Sequence, residues 1–269
     1  MTIKGNYVDS FKKNSSVPWV CPSCQKAFLT IQQETFRREH TRESRRSQTS
    51  QETYGPENME FKYSCFLVCS NSSCKEVVVS CGRGFFDPEP ERDEDGEWDN
   101  NWQEYFKPEF FTPHLKIFSV PKNCPASVDK EINSSFSLFF CSPSSSGNHI
   151  RKAIENLLDH LKIARYAMNK GKRTSLTLHK RIEMLPTKYS HIKDLLFAIK
   201  WLGNAGSHDT LSTKDVMDSY KLTERVLEEL FDNRAAEVVK LAKAINKKKG
   251  PVKKKNKSTG IPWKKTKTP

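Results

Sequence analysis

The stretch "EFKYSCFLVCSNSSCKEVVVSCG" (residues 60–82) decides how the N-terminal third is read. Two runs rich in Val, Phe, Tyr and Cys flank a polar turn, the composition of two strands joined tightly. Cys69 and Cys74 bracket the turn, and Cys21 and Cys24 form a second pair upstream in "VCPSCQKAF". A CxxC turn points two thiolates at one place, and two such knuckles make a tetrahedral four-cysteine zinc site. Cys21, Cys24, Cys69 and Cys74 are therefore the expected ligands of a structural zinc in a zinc ribbon. The second knuckle, CxxxxC, is longer than the common spacing. The 44 residues between the knuckles are accommodated by a polar insertion, because added loop length costs little closure entropy. Four thiolates close the metal shell, so this zinc should hold the fold and perform no chemistry. Cys65, four residues before Cys69, shares its strand face and could replace a ligand; it and Cys81 are otherwise read as buried thiols. Cys124 and Cys141 have no partner at metal-like spacing.

Outward from this module the chain divides into zones. Residues 1–17 are a polar lead-in, and residues 18–83 form the ribbon. Inside the ribbon lies the charged insertion "RREHTRESRRSQTSQETYG" at about 37–55, a loop or frayed helix. Residues 84–125, including "FDPEPERDEDGEWD", read as an irregular acidic connection rich in Pro and aromatics. That connection lies against the body, folds back on the basic tail, or is simply solvated.

Residues 126–246 read as a helical bundle. "SGNHIRKAIENLLDHLKIARYAM" places Ile150, Ala153, Ile154, Leu157, Leu158 and Leu161 on one stripe of an amphipathic helix. "TSLTLHKRIEMLP" is a shorter helix stopped by Pro186. "HIKDLLFAIKWLG" repeats the spacing, and "STKDVMDSYKLTERVLEELF" opens with a capping-box pattern, Ser212 to Asp215. An earlier helix is expected over about 127–141, although "SSFSLFFC" has strand-like composition. The expected class is α+β: a small zinc-ribbon β module, an antiparallel helical bundle, and a disordered basic tail at 247–269.

The chain has 269 residues and a net charge of +13. Twelve lysines and no acidic residue lie from Lys240 onward, which leaves the rest near neutral. Lys247, Lys248, Lys249, Lys253, Lys254, Lys255 and Lys257 are the candidate contacts to nucleic acid or another acidic partner, though such a tail cannot specify a base sequence. A solubilising end is the alternative. No run of about 18 apolar residues suggests a membrane span. The first residues lack an apolar signal core, so a cytoplasmic, reducing location is expected, where cysteines favour metal over disulfides. The chain lacks GxxxxGK[ST], GxSxG and HExxH, and the acidic stretch lacks EF-hand spacing.

The ordered pieces "RKAIENLLD", "LHKRIE" and "WLGNAGSHD", preceded by the cysteine knuckles, resemble the domain-of-unknown-function family 4145, over about residues 18–235. That family occurs alone and fused to restriction-type helicases and endonucleases. It is in turn similar to the HEPN superfamily of helical bundles, which pair as dimers and include many metal-independent ribonucleases of defence systems. The resemblance implies a HEPN-like bundle, homodimerisation, and a prokaryotic defence or restriction setting, with a larger enzyme of that setting as a further partner. HEPN ribonucleases carry Arg, a polar residue directly after it, and then His. Asn204 matches the polar position and His208 the histidine, while Gly203 stands where the arginine belongs. His could shuttle the proton of a ribose 2′-hydroxyl and a cation could stabilise the phosphorane, with Lys200 or Arg151 as its source. Lys200, Asn204 and His208 share a helix face if the helix is unbroken. Gly203 and Gly206 instead suggest close helix packing or a helix end, with Asn204 and His208 in structural roles. Arg151 and Glu155 also form an i,i+4 ion pair in the plainer reading. Three functions follow as expectations: a nucleic-acid-associated zinc module, a ribonuclease using His208, and a protein-interaction adaptor.

Overall fold

The computed structural model describes residues 7, 10–48, 55–92, 98–208, 211–232 and 234–250; at 92, 98–100, 204–208 and 234–238 it describes the backbone alone. The fold is mixed α+β. Its residues divide into two compact units, Met1–Phe231 and Asp232–Pro269.

The first unit begins with one antiparallel sheet. β3 (Glu60–Cys69) pairs with β4 (Val77–Arg92), and β4 pairs with β5 (Trp98–Thr112). On its other edge β3 takes two short partners: β1 (Leu29–Ile31) beside Leu67–Cys69, and β2 (Arg37–His40) beside Phe61–Ser64. β3 alternates strictly along Phe61, Tyr63, Cys65, Leu67 and Cys69, all buried, as the period of a half-covered strand requires. Phe11, Trp19, Phe36, Tyr63 and Phe106 cluster on this buried face, mostly edge to face, with Phe11 centred 5.2 Å from Trp19 and Phe36 stacked in parallel on Tyr63.

Several expectations are corrected here. The polar lead-in is part of the core: Tyr7, Phe11 and Val17 are buried, and Phe11 exchanges backbone hydrogen bonds with Phe106. The polar insertion, expected as a loop or frayed helix, is helical at α1 (Arg42–Ser47), capped by Thr41, but its first residues form strand β2; residues 49–54 lie outside the described residues. The irregular acidic connection is the long β4–β5 hairpin over most of its length. β3 leaves β4 at Phe85, and beyond that point no strand among the described residues pairs with that edge of β4. Pro88 and Pro90 sit two apart, hence on the same edge, where their missing N–H groups cost nothing. A bulge between Cys81 and Gly82 accommodates Pro108, and there a Cβ on residue 82 would run into the Lys107 carbonyl.

Five helices follow: α2 (Ala126–Leu138), α3 (Pro143–His160), α4 (Leu178–Glu183), α5 (Ser190–His208) and α6 (Thr213–Phe231). α3 is central and touches the other four. The stripe Ile150, Ala153, Ile154, Leu157 and Leu158 is buried as expected. α3 ends at His160, earlier than the sequence reading, and residues expected to continue it form a hairpin, β6 (Tyr166–Asn169) and β7 (Lys172–Ser175). Its two-residue turn uses Lys170 and Gly171 with φ 48° and 73°, the left-handed pair of a type I′ turn. Ser212 and Asp215 make the reciprocal capping box at the start of α6: Asp215 N–H donates to Ser212 Oγ at 3.2 Å and Ser212 N–H to Asp215 Oδ2 at 2.9 Å.

α2, α3 and α6 meet at Ser135, Ser146 and Tyr220, whose fully buried hydroxyls lie 2.8–2.9 Å apart. The sheet and the helices share one hydrophobic core, through Trp19, Phe111, Phe140 and Phe139 packed edge-on or tilted in succession to Tyr220.

The second unit contains helix α7 (Arg234–Lys248). The helix holds Lys247 and Lys248, which the sequence reading placed in the disordered tail; lysine is a good helix former and is favoured at a C-terminus by the dipole. Lys249 follows it with φ 49°. Lys253, Lys254, Lys255 and Lys257 lie outside the described residues. No helix among the described residues is long and apolar enough to cross a membrane.

Candidate functional site

The four expected ligand cysteines come together. The sulfurs of Cys21, Cys24, Cys69 and Cys74 all lie within 4.8 Å of one another. Cys21 Sγ is 3.8 Å from Cys74 Sγ, and Cys24 Sγ is 3.6 Å from Cys69 Sγ. A disulfide needs about 2.05 Å. Four thiolates about 2.3 Å from one tetrahedral ion stand about 3.8 Å apart. The spacing and the all-sulfur donor set fit a metal site. Cys65 is buried on the same strand face as Cys69 but outside the cluster, and Cys81 is also outside it.

The two knuckles are built alike. In the first, Gln25 N–H donates to the Cys21 carbonyl at 3.0 Å, and Gln25 adopts φ 52°. In the second, Lys75 N–H donates to the Asn71 carbonyl at 3.1 Å, and Lys75 also has φ 52°. Asn71 thus occupies the turn position that Cys21 occupies. Its side chain copies the thiolate's role: Asn71 Oδ1 accepts the Ser73 N–H at 3.0 Å, as Cys21 Sγ accepts the Ser23 N–H. The ligand is supplied from two residues earlier by Cys69 at the end of β3, with its sulfur accepting the Asn71 N–H. That is why the spacing is CxxxxC. The sequence signal is the Asn-Ser-Ser of an Asx turn.

The electrostatics of the cluster are uneven. Backbone amides of Lys26 and Ala27 donate to Cys24 and bring its thiol down to about 6, outweighing burial. Burial pushes Cys69 up to about 12 and also raises Cys21. A cation among them would offset the burial that opposes charging.

The second candidate site is on α5. The helix runs unbroken to His208, so the backbone places Lys200, Asn204 and His208 on one face. The side chains of Asn204 and His208 lie outside the described residues. Lys200 is buried, and its Nζ lies 3.2 Å from the Trp201 ring centre. A Cβ at position 203 would lie 3.4 Å from the Cβ of Arg151 on α3, an ordinary van der Waals contact, so the packing of α5 against α3 does not require glycine there. Arg151 therefore reaches α5 at the residue before Asn204, a meeting with no linear signal. Its Nε lies 3.4 Å from Glu155 Oε1, the expected i,i+4 pair.

Residues 133–248 match the family model of the domain of unknown function DUF4145. The DUF4145 match starts within α2 and runs through α7. Residues 9–111 match a different model, the domain of unknown function DUF8608. The cysteine module is thus outside the DUF4145 match, although the sequence resemblance had been drawn from residue 18. The DUF8608 match takes in Phe11 and Val17 of the buried lead-in and the β4–β5 hairpin up to Phe111, in accord with the sheet they complete. Neither curated proteins nor solved structures include a match.

Proposed function

We propose that the protein is a nucleic-acid-associated module in which Cys21, Cys24, Cys69 and Cys74 hold a structural zinc. A prokaryotic defence or restriction setting is what the resemblance to family 4145 implies, since that family occurs fused to restriction-type helicases and endonucleases. The donor set supports zinc, because four thiolates in a reducing compartment suit a tetrahedral, redox-inert ion. With four protein ligands no position remains for water or substrate, so the ion supports the fold.

The observation that carries the nucleic-acid reading is the charge distribution: twelve lysines and no carboxylate from Lys240 onward, beside an otherwise near-neutral chain. Counterion release then dominates binding. Titration of single-stranded and duplex oligonucleotides at several salt concentrations tests it. The expected result is affinity that falls steeply with salt and a slope much reduced on deleting residues 247–269. Absent or salt-independent binding would overturn it in favour of a protein adaptor.

The contact of Arg151 with Gly203 favours a second reading, a ribonuclease using His208 and Asn204. In it Arg151 supplies, from α3, the cation missing from position 203. RNA incubated in magnesium-free buffer, with the structural zinc retained, should be cut by the wild type and left intact by His208→Ala and Arg151→Ala proteins. Intact RNA with the wild type removes this reading.

A further inference from the structure

Between Asp159 and Glu183 the chain contains no acidic residue and seven cations: Lys162, Arg165, Lys170, Lys172, Arg173, Lys180 and Arg181. The fold concentrates them around the β6–β7 hairpin, whose eight strand residues are all exposed. Beside the hairpin, α3 and the start of α4 enclose a cleft of about 510 Å³. Arg151, Lys152, Arg165 and Arg181 line it, with Glu155 the one carboxylate and Tyr166 at its side.

These cations differ in what they have left to offer. Lys152 pairs with Glu131 at 2.9 Å, and Arg151 pairs with Glu155. Arg181 is buried and fully engaged: it bonds Asp159 at 2.7 Å and the carbonyls of Glu155, Ile163 and Ala164, capping the end of α3. Asp159 in turn orients Arg165 through two hydrogen bonds. Two positive groups that line the cleft thus share one carboxylate behind it. No ion pair involving Lys170 or Lys172 occurs among the described residues. The Arg173 guanidinium carbon lies over the Tyr166 ring, 3.9 Å from its centre, forming a cation–aromatic platform whose tyrosine is half exposed.

We propose that this cleft and hairpin take the sugar–phosphate chain of a single-stranded nucleic acid. Lys170, Lys172 and Arg165 would face phosphates and the Tyr166–Arg173 platform would stack an unpaired base. An exposed aromatic flanked by unpaired cations is the arrangement by which proteins hold single strands without reading sequence. A duplex buries its base faces and leaves such a platform unused. The inference rests on the nucleic-acid reading above but assigns the contact to the folded body, apart from the tail.

The test uses the full chain. A short oligonucleotide carrying 5-iodouridine is bound, photo-cross-linked and mapped by mass spectrometry. In parallel, the salt dependence of binding is compared for wild type, Lys170→Glu/Lys172→Glu and Tyr166→Ala. The expected results are an adduct on Tyr166, a salt slope lowered by about 1.4 in the double variant, and affinity lowered about tenfold in Tyr166→Ala. All three positions are exposed, and unchanged circular dichroism confirms the fold. Wild-type slope and affinity in both variants, with no adduct on Tyr166, overturn the cleft while leaving tail binding intact. Failure of the wild type to bind at any salt concentration removes both readings. Displacement of the oligonucleotide by polyglutamate of equal charge, with equal loss in the Tyr166→Ala protein, overturns it in favour of an acidic protein partner.

Discussion

Asn71 explains how a knuckle of unusual spacing still closes, and it is the residue most open to direct test. Its Oδ1 holds the turn that delivers Cys74. Asn71→Ala should destabilise that turn by about 1 kcal/mol and loosen metal retention, measured by competition with a chromophoric chelator; Asn71→Asp should retain most of it. If Cys21→Ser and Cys74→Ser proteins keep a full equivalent of zinc, the ligand set is wrong. Arg181 makes a different prediction. Arg181→Met strips Asp159 of one partner and three carbonyls of their donor. A loss of about 3 kcal/mol is expected in urea unfolding. Two carboxyls set the pH response. Arg165, and then Arg181, holds Asp159 below its ordinary value. That stabilisation is present above about pH 3.9 and is lost as pH falls through the lower folded-state value; Asp159→Asn should flatten the acid limb. Burial, with Glu228 nearby, pushes buried Glu224 up to about 7. Its contribution is fully present below about pH 4.3 and is lost as pH rises through about 7. Glu224→Gln should therefore gain stability on the wild type across that interval, read from thermal midpoints at successive pH values.

Helices were legible in the sequence wherever one face alone is buried, since the 3.6-residue stripe then survives in the residue types. α3, α4, α5 and α6 all showed it. The box of Ser212 and Asp215 was equally legible, and Ser212→Ala should cost about 1 kcal/mol in unfolding free energy. The β4–β5 hairpin was not, because its prolines and carboxylates argue against a strand unless one knows that no strand among the described residues pairs with its far edge. Strand pairing is decided by a partner distant in sequence, which local composition does not report. The β6–β7 hairpin escaped notice for another reason: with every strand residue exposed, it lacks the apolar alternation that marks a half-buried strand. Its turn, "NKGK", was the available signal. Within the metal cluster the four residues were legible from spacing, while the substitution of Asn71 for a first-position cysteine required the hydrogen bonds.

At the scale of the molecule, two family matches meet inside a single core. The ring of Phe111 packs 4.8 Å from Trp19 on one side and 4.8 Å from Phe140 on the other. Ser119, on the way to the helices, donates a hydrogen bond to Gln25, the residue that closes the first knuckle. Composition could not reveal this continuity, since the segment joining the halves reads as a linker. Removing the metal with a chelator should accordingly unfold the sheet and helices of the first unit in one transition, with near-ultraviolet signals and helical ellipticity lost together. Separate transitions would show that the shared core does not couple them. The aromatic seam has a consequence for supply. If the four cysteines hold zinc as proposed, available zinc acts on the folded population as a chemical potential, and each tenfold rise above the dissociation constant adds about 1.4 kcal/mol. Scarcity of one ion, held by cysteines of the sheet module, would then set how much of the helical part of the first unit exists in folded form.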